Sequence, residues 1–286
     1  MDTHGPTEVA EMAEMAEMAE MAEMAARLGG EVVRAAGLTE REGPEQRGGR
    51  VDAKGAGDYV TEVDRQSEHA ISAFLESATG VPVVGEERGG ERGERYWLVD
   101  PLDGTTNFLH GFPAVGVSVA LVEGGRPTAG AVHAPFLDQT WTAARGQGAW
   151  TAWGAGGRER LSVSTRPVER AVVGTGFPFR RKELLGRYLE AFRGALERFE
   201  DLRRPGAAAL DLAWVASGVF EGFFELALAP WDVAAGGLLI EEAGGVVTDW
   251  AGGDGWMAGD ILAGSPGVHA ELLVLASRVG SAAPAE

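Results

Sequence analysis

Two acidic motifs, each following a short apolar run, constrain this chain more than any other feature. Val81-Pro-Val-Val84 leads into Gly85-Glu86-Glu87, and Tyr96-Trp-Leu-Val99 leads into Asp100-Pro-Leu-Asp103-Gly-Thr-Thr-Asn107. Short apolar runs of this kind read as buried strands. The acids therefore stand at strand carboxyl ends, where connecting segments carry sites. Carboxylates crowded together resist ionising unless a cation neutralises them. Hard oxygen donors suit Mg²⁺, Ca²⁺ or Mn²⁺. Metal-assisted phosphate chemistry is the first reading.

The second motif has its own logic. Pro101 removes a backbone donor and fixes a bend, so Asp100 and Asp103 can face one point while the Leu102 carbonyl offers a further oxygen. Asp103-Gly104-Thr105-Thr106 then opens a short helix, whose free N–H groups attract anions. Read singly, these residues have plainer roles. Asp103 is a turn or a cap, Glu86-Glu87 a solvated acidic turn, Asp232 the N-cap of an apolar helix, and Asp64 a surface acid. The succession of strand, acid, turn, acid and Gly-Thr-Thr helix start is the specific signal.

Bulk properties exclude several classes. With 43 acids against 25 bases, a net charge of −18 leaves no basic stripe for a nucleic-acid polymer or an anionic membrane. No cysteine is present, which removes disulfides, zinc-thiolate sites and thiol nucleophiles. No apolar run reaches membrane-spanning length, and the acidic N-terminus is unlike a signal peptide. The expectation is a cytoplasmic protein. Only Lys54 and Lys182 are lysines, which singles out Lys54 beside its Gly-Asp turn.

Glu-Met-Ala repeats five times from Glu11 to Ala25. All three residues favour helix, and a period of three makes the methionines spiral around it. Residues 1–25 are read as a low-complexity helical extension without a function of its own, with packing beginning towards Leu28, Val32 and Val33. Residues 38–58 read as loop or exposed hairpin, and a helix capped by Thr61 follows to Leu75. Segments 115–122, 128–133 and 139–144 read as a strand meander, and 145–165 as surface loop and hairpin. A strand at 171–174 restarts the pattern. An amphipathic helix over 182–199 uses Leu184, Leu185, Tyr188, Leu189, Phe192 and Leu196. Further helices at 207–218, 232–243 and 268–279 alternate with strands at 222–226, 246–250 and 261–263. The alternation implies an α/β or layered α+β enzyme. Residues 26–165 form an N-terminal α+β half with the metal and phosphate motifs, and residues 166–286 a C-terminal half completing the site.

Taken together, Gly57-Asp58-Tyr-Val-Thr-Glu-Val-Asp64, Gly85-Glu86-Glu87, Trp97-Leu-Val-Asp-Pro-Leu-Asp-Gly-Thr-Thr-Asn-Phe108, Trp231-Asp232-Val-Ala-Ala-Gly236 and Glu242-Ala-Gly-Gly245 resemble the inositol monophosphatase family. The resemblance spans about residues 26 to 278. It implies an α+β fold with α-β-α-β-α layers, the sugar-phosphatase fold, a homodimer, and Li⁺-sensitive hydrolysis of a small phosphate ester with two to three Mg²⁺, for which Mn²⁺ can substitute. By the same resemblance, Glu86, Asp100 and the Leu102 carbonyl look like ligands of a first ion. Asp100, Asp103 and Asp232 look like ligands of a second, and Glu86 helps with a third. Asp64 and Thr105 resemble the pair that orients the attacking water, with Glu87 close by. Asp103, Gly104, Thr105, Thr106, Ala208 and Glu225 match substrate contacts, and Lys54 matches an accessory lysine on a mobile loop. Ala207 departs from the pattern, standing where Ser or Thr is common, and puts strict inositol selectivity in question. Histidinol phosphate, fructose 1,6-bisphosphate and nucleotide 3′-phosphates remain alternative substrates, with Arg180-Arg181 the candidate for a second phosphate. A catalytically inert phosphate- or metal-binding protein is the non-enzyme alternative.

Overall fold

The computed structural model describes residues 6–38, 51–55 and 58–280. Helix α1 (Pro6–Leu38) runs unbroken through the repeat, as its Ala, Glu and Met content favours. Strands β1 (Val51–Gly55) and β2 (Asp58–Thr61) form a hairpin. Lys54 lies on β1, and its side chain is outside the described residues. Helix α2 (Glu62–Thr79) opens with a capping box in which Thr61 and Asp64 satisfy each other's backbone N–H groups.

Then come β3 (Val83–Gly85), β4 (Arg95–Asp103), the short helix α3 (Thr105–His110), β5 (Gly116–Glu123) and β6 (Arg126–Ala134). The first sheet is completed by β7 (Gln139–Ala144), β8 (Gly148–Trp153) and β9 (Glu159–Arg160). The second part holds β10 (Val172–Thr175), α4 (Leu185–Arg198), β11 (Asp201–Arg203), α5 (Ala208–Ala216) and β12 (Gly222–Glu225). It closes with α6 (Pro230–Glu242), β13 (Val246–Thr248), β14 (Ile261–Gly264) and α7 (Pro266–Gly280).

The larger sheet has seven strands in the order β3-β4-β5-β6-β7-β8-β9, parallel only between β3 and β4. The smaller has five in the order β11-β10-β12-β14-β13. Side-chain alternation along the strands sorts the core into three layers. Trp97, Val99, Val119, Leu121 and Ala131 face α1 and α2. Leu98, Ala120, Val122 and Val132 face the opposite way, onto Leu212, Val233 and Leu238 of α5 and α6, which also cover Phe223 and Ala263 of the smaller sheet. Phe224 and Leu262, next along those strands, face Tyr188 and Ala191 of α4 and Leu272 of α7. The architecture is α-β-α-β-α, as expected. No described helix is long and apolar enough to cross a membrane.

Two segments differ from the sequence expectation. Residues 148–153 are a strand of the large sheet, with Ala149 and Ala152 buried, where surface loop and hairpin was expected. The surrounding glycines make the tight turns of the meander, Gly146 and Gly148 at φ 76° and 84°. Helix α4 buries Tyr188, Ala191 and Ala195, while Leu185, Leu189 and Leu196 of the predicted apolar face are exposed. A Cβ at Gly194 of α4 would lie 2.7 Å from the Leu275 side chain of α7, so the two helices pack closely along a face of small residues.

Packing of α1 begins earlier than its sequence suggests. Met18, Ala19, Ala22 and Ala25 lie in the core beneath the large sheet, and Glu14 pairs with Arg95 at 2.8 Å. Deletion of residues 1–12 should leave the melting temperature nearly unchanged. Ala22→Glu, which buries an unpaired charge, should lower it by about 5 °C or more in thermal denaturation.

Candidate active site

The irregular end of β4 aims the acids. Asp100 stands opposite Ser118 on β5, and Asp103 opposite Gly116, so three steps on β4 match two on its partner. Residues three apart on a regular strand point to opposite faces; the extra residue at Pro101-Leu102 turns both carboxylates to the same side. Pro101 has no N–H to leave unpaired there. The Leu102 N–H instead donates to Asp100 Oδ1 at 3.0 Å, and Ser67 Oγ on α2 donates to the Pro101 carbonyl at 2.9 Å. Gly104 then takes φ 91°, and a Cβ there would sit 2.9 Å from the Ala114 oxygen.

A cavity of about 490 Å³ opens where β4 ends and α3, α5 and α6 begin. Its wall brings together Glu86, Asp100, Leu102, Asp103, Gly104, Thr105, Thr106, Ala208, Glu225 and Asp232. Asp64 and Glu87 are not part of this wall. Asp64 reaches it through Thr105, whose Oγ1 lies 3.2 Å from Asp64 Oδ1 and 3.2 Å from the Leu102 carbonyl oxygen.

Helix starts hold the aspartates in place. Asp103 Oδ2 accepts from the Ala209 N–H at 2.7 Å, capping α5 from another element where Ala207 has no side chain to do so. Asp232 Oδ2 accepts from the Ala229 N–H at 2.7 Å at the start of α6, and Ser118 Oγ donates to the Trp231 carbonyl at 3.0 Å beside it. Asp64 Oδ2 accepts from the Thr61 N–H at 2.9 Å. In each case one oxygen is committed to the backbone and the carboxylate plane is fixed.

Burial and mutual repulsion raise the pKa values of this cluster. Burial pushes Asp100 well above the usual carboxylate range, and Glu86, Asp103 and Asp232 add to it. Asp103 is raised by burial and then by Asp232, partly opposed by the Ala209 N–H. Asp64 is raised by burial against the opposing hydrogen bonds from Thr61. Glu225 is pushed up to about 8 by burial and then by Asp232. Among the described residues no group of three acids has the spacing to hold one ion as it stands. The donor chemistry nevertheless fits a hard divalent cation, because crowded carboxylates and a carbonyl face one space. Arg180, Arg181 and Arg204 also line the cavity. The Arg204 guanidinium stands over Phe177 at 5.5 Å and over Phe179 at 5.4 Å.

The inositol monophosphatase family model matches residues 14–280. The chain belongs to the inositol monophosphatase family. An inositol-1-monophosphatase of Mesorhizobium japonicum is 41% identical over 248 residues, covering 85% of this chain and 91% of that protein. A putative Nus factor SuhB of Neisseria meningitidis serogroup B is 40% identical over 259 residues, covering 88% of this chain and 95% of that protein. The crystal structure of the extragenic suppressor protein suhB from Bartonella henselae superposes with a TM-score of 0.81 at 37% identity, covering 91% of this chain and 98% of that one. Membership of the inositol monophosphatase family supports a phosphatase.

Glu68 and Asn107 have supporting roles around the site that their local sequence does not show. Glu68, fully buried on α2, accepts from the Glu87 N–H at 3.3 Å and from the Arg88 N–H at 3.0 Å, pinning the Glu86-Glu87 loop. A Cβ at Gly85 would lie 1.5 Å from Glu68 Oε1, so the glycine leaves room for this carboxylate. Asn107 Nδ2 donates to the Ala114 and Pro205 carbonyls at 2.7 and 2.8 Å, tying α3 to the segment before α5. The signal for Glu68 is its place on the buried face of α2 with Asp64, Ser67 and Ile71.

Glu68→Ala should lower the melting temperature by several degrees and speed hydrogen exchange at the Glu87 and Arg88 amides. It strips two partly buried backbone donors of the carboxylate that holds them. Raised carboxylate pKa values also set a pH dependence. A folded-state pKa above the unfolded one stabilises below the ordinary carboxylate range, and that stabilisation is lost as pH rises through the raised value. Asp100→Asn should therefore melt higher than wild type in metal-free buffer at about pH 8, with the gap closing towards about pH 5. Calorimetric melts at both pH values check this.

Proposed function

We propose that this protein is a Mg²⁺-dependent phosphate monoester hydrolase acting on inositol monophosphate or a similar small polyol or sugar phosphate. The supporting observation is the meeting of Glu86, Asp100, the Leu102 carbonyl, Asp103 and Asp232 with the Gly104-Thr105 helix start around one cavity. In this reading Glu86, Asp100 and Leu102 hold one ion, and Asp100, Asp103 and Asp232 hold a second. Glu86 helps retain a third, and Mn²⁺ substitutes for Mg²⁺. Bound divalent ions would lower the pKa of a water and neutralise charge on the ester oxygens.

The chain's own groups do the positioning. Thr105 has one hydroxyl proton and two acceptors in reach. Donation to Asp64 frees the Leu102 carbonyl and leaves the Thr105 lone pairs to accept from the attacking water. Glu87, which acts electrostatically on Asp64, keeps that region negative. The Gly104, Thr105 and Thr106 N–H groups cradle the phosphate. Ala208 and Glu225 face the leaving group, and the arginines lining the cavity draw an anionic ester into an acidic protein. Li⁺ inhibition and a homodimer belong to the same proposal, as does an accessory role for Lys54.

Relatives named Nus factor SuhB motivate a second reading, in which the fold serves as a binding protein without turnover. The complete set of Asp64, Glu86, Glu87, Asp100, Asp103, Thr105 and Asp232 favours hydrolysis.

A phosphate-release panel separates the readings: inositol 1-phosphate, histidinol phosphate, fructose 1,6-bisphosphate and adenosine 3′,5′-bisphosphate, each with and without Mg²⁺. Release from none of them defeats the hydrolase proposal. Asp100→Asn and Asp232→Asn should abolish Mg²⁺-dependent release while circular dichroism stays that of wild type. Asp64→Asn and Thr105→Ala should lower kcat by about 10²-fold or more, and an unchanged kcat removes them from the mechanism.

A further inference from the structure

Helix α5 carries an acid for which neither the metal cluster nor the water-orienting pair has a use. Asp211 is 1% exposed and lines the cavity. It lies three residues beyond Ala208, a spacing that places both on one helix face. Among the described residues its Oδ1 has no hydrogen-bond partner. Asp103 and Asp232, in contrast, each have an oxygen held by a backbone N–H. A buried acceptor without a donor is costly. The rest of α5 is Ala, Leu, Val and Trp, among which an apolar side chain would sit without that cost.

Asp211 neighbours Glu225, read above as facing the leaving group, and shares the cavity wall with it. Glu225 and Asp103 are the acids that act on it, and Arg204 attracts it. Glu225 is pressed against bare backbone, since a Cβ on Gly176 would come within 2.0 Å of both its carboxylate oxygens. Two acceptors, Asp211 and Glu225, thus line the cavity together with Arg204.

We infer that Asp211 is a specificity-determining residue whose Oδ1 accepts a hydrogen bond from a leaving-group hydroxyl, so that the cavity selects monoesters of polyols able to satisfy Asp211 and Glu225 together. This rests on the phosphatase reading. A site whose buried polar groups need substrate hydroxyls rejects esters that lack them.

The test compares wild type, Asp211→Ala and Asp211→Asn in the full chain with Mg²⁺. Each is assayed on the best polyol monophosphate of the panel and on p-nitrophenyl phosphate, which has no hydroxyl to donate. The ratio of kcat/KM for the polyol ester to that for the aryl ester should fall about tenfold or more in Asp211→Ala, mainly through KM. Asp211→Asn keeps an uncharged acceptor and should recover part of the ratio. If Asp211→Ala does not fold, Asp211→Asn carries the test, with a fall of about threefold expected. An unchanged ratio in the folded variants, even with both rates depressed together, overturns the inference in favour of a structural role. Wild type inactive on both esters overturns the phosphatase reading, and the inference with it.

Discussion

Backbone N–H groups at helix starts fix the carboxylates of this site. Asp64, Asp103 and Asp232 each give one oxygen to such a group, from α2, α5 and α6 respectively. The positive end of a helix favours negative charge, which offsets part of the cost of bringing these acids together. The cost that remains, from burial first and mutual repulsion second, raises the pKa values of Asp100 and Asp103 and is what a divalent cation would relieve. Helix capping and the proposed ion binding thus draw on the same side chains.

This dependence explains why the two parts of the chain act together. Asp103 lies on the large sheet yet caps α5, and α5 packs between both sheets. Asn107 reaches from α3 to the Pro205 carbonyl. Ser118, opposite Asp100 on the neighbouring strand, holds the first turn of α6. The cavity is the place where the layers are joined, so its geometry follows from how the sheets pack.

The sequence revealed the acids more clearly than their supports. Asp100, Asp103 and the Gly-Thr-Thr start announce themselves because turn, strand and helix-start chemistry coincide within a few residues. The one-residue irregularity in β4 was foreshadowed only by Pro101, since register depends on pairing with β5. The supporting contacts of Glu68 and Asn107 escaped notice because their partners lie 19 and 98 residues away, and Asp211 because its Oδ1 has no partner among the described residues. Strand β8 was hidden by the glycines around it, and the orientation of α4 by the small residues of its buried face, which contribute little hydrophobicity. Long-range contacts, not local periodicity, set all of these.

The tandem tract in α1 has an evolutionary consequence. Adding or losing one Glu-Met-Ala unit yields the same sequence wherever in the tract the slip occurs. Because the downstream residues Ala25, Ala26 and Val33 are anchored in the core, the change is absorbed at the outer end. Each unit lengthens the helix by about 4.5 Å and leaves the buried seam in place. Replication slippage here would produce length variants that share one folded body, and selection would see little difference among them.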